Sequence, residues 1–283
     1  MKQLRFTFAL FLALVSAGIT TAAADAASEP TILITGSNRG IGLEFTKQYA
    51  ELGWNVIATT RNPANAADLQ TLALEHKNIS IKALDITDHR AVDALAAELN
   101  DQPVDILLNN AALLGEFPGQ YFGQIDYQQF ERILAVNTIG TLKMSEAFAG
   151  HVERSEQKKI VTLGSAAGSI GSINGHPDLY AYRASKAALH LLMRNLSFEL
   201  QDEGIMVGLI NPGLVDTRGF ADMLSGEKET PDDFKQIVSL LEAGVLKLST
   251  PEEAVKLMIA RIDELGPETS GVFINADGAP IPW

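Results

Sequence analysis

From about residue 30 onward, short apolar runs rich in β-branched residues alternate with longer segments of helical period, and no other feature restricts the fold as much. A strand that rejoins its sheet in parallel needs a crossover connection, usually a helix. The expected strands are Thr31–Thr35, Asn55–Thr60, Ile79–Leu84, Asp105–Asn109, Lys159–Leu163, Met206–Ile210 and Gly271–Ile274. Several are almost continuously apolar, as strands covered on both faces must be. Helices are expected over 41–52, 64–75, 88–100, 126–150, 179–202 and 251–264. The last has a readable start, because Thr250, Pro251 and Glu253 form a capping box with proline in the first turn. The pattern predicts an α/β chain with one doubly wound, parallel, seven-stranded sheet and helices on both faces, in a single domain over 27–283. Segments 113–125 and 213–249 are richer in Gly, Pro and charge, with weaker periodicity, and are where substrate contacts are expected.

Charge and residue types remove several functions. The 283-residue chain has a formal net charge of −13 and no Lys/Arg run longer than Lys158-Lys159. It therefore offers no basic footprint for a phosphate backbone, and nucleic acid is not an expected partner. Without Cys there is no disulfide, thiolate nucleophile or Cys-ligated zinc, and His76, His89, His151, His176 and His190 show no paired ligand spacing, so no metal is expected. Lys2 and Arg5 precede the apolar stretch Phe6–Val15, followed by small residues around Ala22-Ala23-Ala24 and Ala24-Asp25-Ala26, the pattern of a secretory signal. Phe6–Ile19 is shorter than the ~20 residues of a membrane-spanning helix. Residues 1–26 are expected to be removed and the chain exported, periplasmic or secreted, with no stable membrane association afterwards. A cytoplasmic chain is the alternative.

The first strand runs into Thr35-Gly36-Ser37-Asn38-Arg39-Gly40-Ile41-Gly42. Glycines in such a β-to-α turn let main-chain N–H groups approach a pyrophosphate at the positive end of the following helix. The spacing is Gly-x-x-x-Gly-x-Gly rather than Gly-x-Gly-x-x-Gly, and a turn without ligand is the alternative. An acid about 20 residues further on would hold a free ribose 2′-hydroxyl. Ala58-Thr59-Thr60-Arg61 stands there instead, and Arg61 with Arg39 suits a 2′-phosphate, so NADP(H) is expected over NAD(H). Asp85, followed by Ile86, ends the third strand and is placed to accept from an adenine amino group. Asn109-Asn110-Ala111-Ala112 ends the fourth, where Asn109 either touches the cofactor or braces the sheet edge. Pro212-Gly213 leaves the sixth strand, and with Val215 and Thr217 suits main-chain approach to a nicotinamide carboxamide.

Tyr182 and Lys186 lie one helical turn apart in Tyr180-Ala-Tyr-Arg-Ala-Ser-Lys186, which sets phenol and ammonium on one face. Tyrosine ordinarily titrates near pH 10, and a neighbouring ammonium is expected to lower that value and to reach ribose hydroxyls. A carbonyl oxygen that accepts hydride develops negative charge and needs a preorganised donor. Ser165, directly after the fifth strand, is the candidate, with Ser169 and Ser172 in the same stretch as alternatives. Asn137 falls inside an expected helix, where it either holds a water that links Lys186 to solvent or bonds a neighbouring turn.

Taken in order, Thr35 to Gly42, Asp85, Asn109 to Ala112, Asn137, Ser165, Tyr182 with Lys186, and Pro212-Gly213 resemble the short-chain dehydrogenase/reductase family, in its single-domain branch, over about residues 31–283. Ser37-Asn38-Arg39, the Tyr180–Lys186 run and Gly278-Ala-Pro-Ile-Pro-Trp283 are similar to carbonyl-reductase-like and C-factor-like members. Ala112 and Gly164 depart from residues common in the family, which has Gly and Ser there. The gap from Ser165 to Tyr182 is longer than usual; the usual gap selects Ser169. The resemblance implies a Rossmann-type sheet ordered 3-2-1-4-5-6-7 and catalytic roles for Ser165, Tyr182, Lys186 and Asn137. It also implies an NADPH-dependent reductase of a small-molecule carbonyl, assembled as a homodimer or homotetramer. A dinucleotide-binding or signalling protein without turnover is the alternative.

Overall fold

The computed structural model describes residues 29–173 and 178–283. The expected leader, 1–26, and His176 lie outside the described residues. Seven strands, β1 (Thr31–Ile34), β2 (Asn55–Thr60), β3 (Ile79–Ala83), β4 (Ile106–Asn109), β5 (Lys159–Leu163), β6 (Met206–Asn211) and β9 (Val272–Asn275), make one parallel sheet. Its order is β3-β2-β1-β4-β5-β6-β9, which is the expected one with β9 in seventh place. The number shifts because β7 (Leu214–Val215) and β8 (Leu248–Ser249) pair as a separate short ladder inside 213–249.

Strand side chains alternate between two cores. Ile32, Ile34, Ala58, Ile106, Leu108 and Val161 face one side, packed against Phe45 and Tyr49 of α1 (Gly40–Glu51), Leu69 of α2 (Ala67–Glu75) and Met258 of α9 (Pro251–Asp263). Leu33, Ile57, Leu107, Ile160 and Leu209 face the other side. They meet Val92 of α3 (His89–Leu99), Phe148 of α5 (Thr141–Glu153) and Met193 of α6 (Tyr180–Glu199). Burying each such side chain stabilises by about 1.5–3 kcal/mol. Double coverage explains why these strands read as apolar runs without alternation. The capping box of α9 forms as expected, with Thr250 Oγ1 accepting from Glu253 N–H and Glu253 Oε2 accepting from Thr250 N–H.

One expectation needs revision. The helix expected over 126–150 is α4 (Tyr127–Leu134), one π-helical turn at Ala135–Gly140, and α5; widened turns of this kind re-aim the side chains they carry. Segment 213–249 carries helices that its weak periodicity did not announce. It holds α7 (Phe220–Ser225) and α8 (Lys235–Glu242), whose six and eight residues are too few to display a period. These pack as a small cluster of Phe220, Met223 and Val238 with Phe234. Phe234 also meets Phe117 edge-on at 5.5 Å, which ties the segment to 113–125. No helix among the described residues is long and apolar enough to cross a membrane.

Strand order reverses between β1 and β4. Chains leaving these neighbours turn to opposite faces and open a crevice at their carboxyl ends. Both motif-bearing turns, 35–42 and 109–112, lie there.

Candidate active site

Thr35 and Asn110 build the turn at the crevice. Thr35 Oγ1 accepts from the N–H groups of Asn110 and Ala111, each at 3.0 Å, while Asn110 Nδ2 donates to the carbonyls of Thr35 at 2.8 Å and Gly36 at 3.1 Å. A Cβ on Gly42 would collide with that Gly36 carbonyl and the Asn110 amide. At Gly40 the backbone takes φ +55°, and a Cβ there would press on the Thr217 methyl at 3.0 Å. The turn is thus a cradle that side chains would fill. Arg39 at the head of α1 supplies no side-chain cap, which leaves the first-turn N–H groups facing outward. These features fit a pyrophosphate, and Gly36, Asn38, Gly40, Ile41 and Gly42 are the residues that would hold it.

Other expected contacts fall differently. Ser37 is fully buried, with its N–H on the Thr59 carbonyl and its hydroxyl donating to the Ile34 carbonyl, so only its main chain borders the turn. Asn109 braces the sheet, donating to Ser145 Oγ at 3.1 Å, whereas Asn110 reaches the crevice. Asp85 Oδ1 accepts from the N–H and hydroxyl of Thr87, leaving its other oxygen toward the edge of β3. Ile86 and Val215 are core residues, buried on opposite faces. Arg39 and Arg61 are both exposed and neither is ion-paired among the described residues. Gly213 takes φ +76° after Pro212, and Thr217 N–H bonds the Val215 carbonyl.

The second half of the site gathers where α6 crosses the end of β5. Lys186 is buried and its Nζ donates to the Leu163 carbonyl at 2.8 Å, lying 5.9 Å from the centre of the Tyr182 ring. The turn after β5 reaches α6 because Gly168 lies against the Lys186 backbone, with no room there for a Cβ. The Ser165 hydroxyl lies near the Tyr182 phenol, close enough to lower its pKa, and accepts from Ala167 N–H at 3.2 Å. Ser165 N–H donates to His190 Nε2 at 3.3 Å. Ser169 turns the other way, its hydroxyl donating to the Pro282 carbonyl and paired with the Ser172 hydroxyl. Of the candidate serines, Ser165 is the one brought to the phenol.

Asn137 bonds neighbouring main chain, the second of its two expected roles. Its Oδ1 accepts from Leu113 N–H at 2.7 Å, and its Nδ2 donates to the Leu113 carbonyl and to Ser185 Oγ, each at 2.9 Å. Ser185 in turn donates to the Tyr182 carbonyl at 2.7 Å.

Burial decides the titration of this cluster. It pushes the half-buried Tyr182 phenol above its ordinary value, against smaller lowering by the nearby Ser165 hydroxyl and the Arg218 charge. Lys186 does not supply the lowering expected of it, because its ammonium is turned to Leu163 and lies over the ring face rather than beside the oxygen. Desolvation brings Lys186 itself down to about 8. His190 is pushed down to about 3 by burial and by the Lys186 charge, so its ring stays neutral and Nε2 remains an acceptor for Ser165 N–H. Sequence reasoning missed Arg218, which stacks on Phe234 at 5.7 Å, and Gln120, whose Oε1 accepts from Tyr182 N–H. Neither sits in a motif, and only the packing of distant segments reveals them.

A model of the family described as short chain dehydrogenase matches residues 30–228. The chain belongs to the short-chain dehydrogenase family. It is 33% identical over 253 residues to an uncharacterised oxidoreductase of Schizosaccharomyces pombe, covering 88% of this chain and 96% of that one. Among solved structures it is similar to the NADPH-bound carbonyl reductase from chicken fatty liver, at TM-score 0.75 and 29% identity over 90% of this chain and 99% of that one. It is also similar to a short-chain dehydrogenase/reductase from Burkholderia multivorans with bound NADP, at TM-score 0.74 and 26% identity over 90% and 100%. As a short-chain dehydrogenase it is an NAD(P)-dependent oxidoreductase.

The buried ammonium makes a stability prediction. Folded Lys186 holds its proton less tightly than an unfolded lysine near 10.5, so between about 8 and 10.5 the unfolded chain carries more protons and stability rises with pH. The wild type should gain on Lys186→Met across that window by up to about 3 kcal/mol, read from denaturant unfolding at each pH. A difference that stays flat with pH contradicts a desolvated ammonium.

Proposed function

We propose that this short-chain dehydrogenase is an NADPH-dependent reductase of aldehydes or ketones, with Tyr182 as the proton donor. One observation carries the reading: the Tyr182 phenol stands near Ser165 and on the same helix face as Lys186, where Lys186 bonds the last carbonyl of β5 at the carboxyl edge of the sheet. A phenol is protonated at neutral pH and can donate, as reduction requires; oxidation of an alcohol needs the phenolate and gains as pH rises.

The crevice residues would hold a reduced nicotinamide, whose chemistry would be hydride donation to a carbonyl carbon. Tyr182 Oη gives its proton to the carbonyl oxygen. Ser165, whose oxygen already accepts from Ala167 N–H, keeps its hydroxyl proton to donate to the same oxygen as negative charge develops there. Lys186 holds a positive charge beneath the ring and anchors α6 on Leu163, while Asn137 fixes Leu113 and Ser185 on either side of the tyrosine's backbone. Replacing Tyr182 by Phe removes the proton donor and is expected to lower kcat for carbonyl reduction by roughly 10²- to 10⁴-fold while NADPH still binds. Equal turnover by wild type and Tyr182→Phe on a panel of aldehydes and ketones eliminates this mechanism.

Exposed Arg39 and Arg61 support NADP(H) over NAD(H), since each can make charge-assisted bonds to a 2′-phosphate. The double change Arg39→Ala with Arg61→Ala should raise KM for NADPH by about 10- to 100-fold per lost bond and leave KM for NADH nearly as it was. A uniform change for both cofactors refutes the 2′-phosphate role.

The expected single catalytic domain over 27–283, the homodimer or homotetramer, and export of the chain belong to the same proposal. Exposed Ile139, Leu191 and Phe198 support association through α6 and its neighbour, and residues 1–26 support export. Sedimentation of the purified chain and fractionation of cells test both; a monomer, or a full-length cytoplasmic chain, removes the corresponding claim.

A further inference from the structure

Tyr182 is the third residue of α6, and the N–H groups of a helix's first turn have no carbonyl partner within the helix. Ordinarily the residue before the helix offers a short side-chain oxygen to such a group. Here that residue is Leu179, in left-handed backbone at φ 49°, and its aliphatic side chain caps nothing. The bond comes instead from Gln120, 62 positions earlier in the chain, whose Oε1 accepts from Tyr182 N–H at 2.9 Å.

Gln120 is fully buried and both ends of its amide are used. While Oε1 holds α6, Nε2 donates to the Leu114 carbonyl at 2.8 Å and reaches the Glu116 carbonyl at 3.4 Å. The segment between is held at each end. Asn137 grips the Leu113 main chain, and Gln129 grips Glu116, accepting from its N–H and donating to its carbonyl. Gly115 and Gly119 make room for that second amide, since a Cβ at either would strike Gln129. Phe117, inside the same stretch, is the residue packed on Phe234 from segment 213–249. The loop leaving β4 is therefore wired to the first turn of the helix that carries the phenol.

We propose that Gln120 is a positioning residue for Tyr182: a helix cap supplied by the loop at 113–120, which fixes the phenol's place over the cleft and couples it to that loop. The inference rests on Tyr182 being the proton donor, as proposed above. The role demands an amide, because one end must accept from an N–H while the other donates to a carbonyl. Glu retains the acceptor and loses the donor; Leu loses both.

The test uses the full chain with Gln120→Leu and Gln120→Glu, measured for single-turnover reduction of a reactive aldehyde at saturating NADPH, for NADPH Kd, for the pH profile of kcat, and for hydrogen exchange of the Tyr182 amide. A misplaced catalytic group costs up to about a hundredfold, so Gln120→Leu should lower the rate roughly ten- to a hundredfold with NADPH Kd nearly unchanged. Its alkaline limb should shift and its Tyr182 amide should exchange faster. Gln120→Glu should fall between Leu and wild type, and carries the test alone if the Leu variant fails to fold, since its rate is then compared with its own NADPH affinity. A folded variant with wild-type rate and pH profile overturns the proposal, as does a loss of rate matched by an equal loss of NADPH affinity. Full activity of Tyr182→Phe would instead remove the proton-donor reading, so the two failures are told apart.

Discussion

The bond from Lys186 Nζ to the Leu163 carbonyl joins the two halves of this molecule that matter most. An ammonium taken out of water is costly unless it is bonded, and here the last carbonyl of β5 meets that need. In doing so it fixes how far α6 can rotate and slide over the sheet edge. Tyr182, one turn earlier on the same helix, is carried to the mouth of the crevice. Gly168 lets the turn after β5 lie against the helix backbone at the same level, and Ser165 arrives beside the phenol as a result.

Desolvation outweighs charge in this cluster. Two groups one turn apart on a helix would be expected to help each other ionise, the ammonium drawing the phenol down. Burial instead pushes the phenol up and the amine down to about 8, and His190 to about 3. All three shifts move toward the less charged form, the direction a low-dielectric site imposes. The outcome is a protonated acid, a cation that is still mostly charged at neutral pH, and a neutral imidazole that accepts from Ser165 N–H.

The sheet was legible because each strand is covered on both faces, and an uninterrupted apolar run such as Thr31–Ile34 or Ile106–Asn109 leaves few other fates. Glycines 36, 40 and 42 were legible for a related reason, since close backbone approach tolerates no other residue. Segment 213–249 was not, because α7 and α8 are too short to show a period and are held by Phe220 on Phe234 and by Phe234 on Phe117, far away in the chain. The roles of Asn109 and Asn110 were likewise hidden: β4 ends at Asn109, and only the folded structure shows that Asn109 bonds Ser145 while Asn110, just past the strand, bonds the turn at Thr35 and Gly36.

By itself the sequence determined the α/β class, the strand count of the main sheet, the glycine-rich β-to-α turn and the spacing that sets Tyr182 and Lys186 on one helix face, because all of these follow from periods and residue types within one short stretch of chain. Only the tertiary structure decided that Ser165 and not Ser169 meets the phenol, that Lys186 bonds Leu163, and that Gln120 caps α6. Those are contacts between segments far apart in the chain, fixed by how the layers close on each other, and no local pattern encodes them.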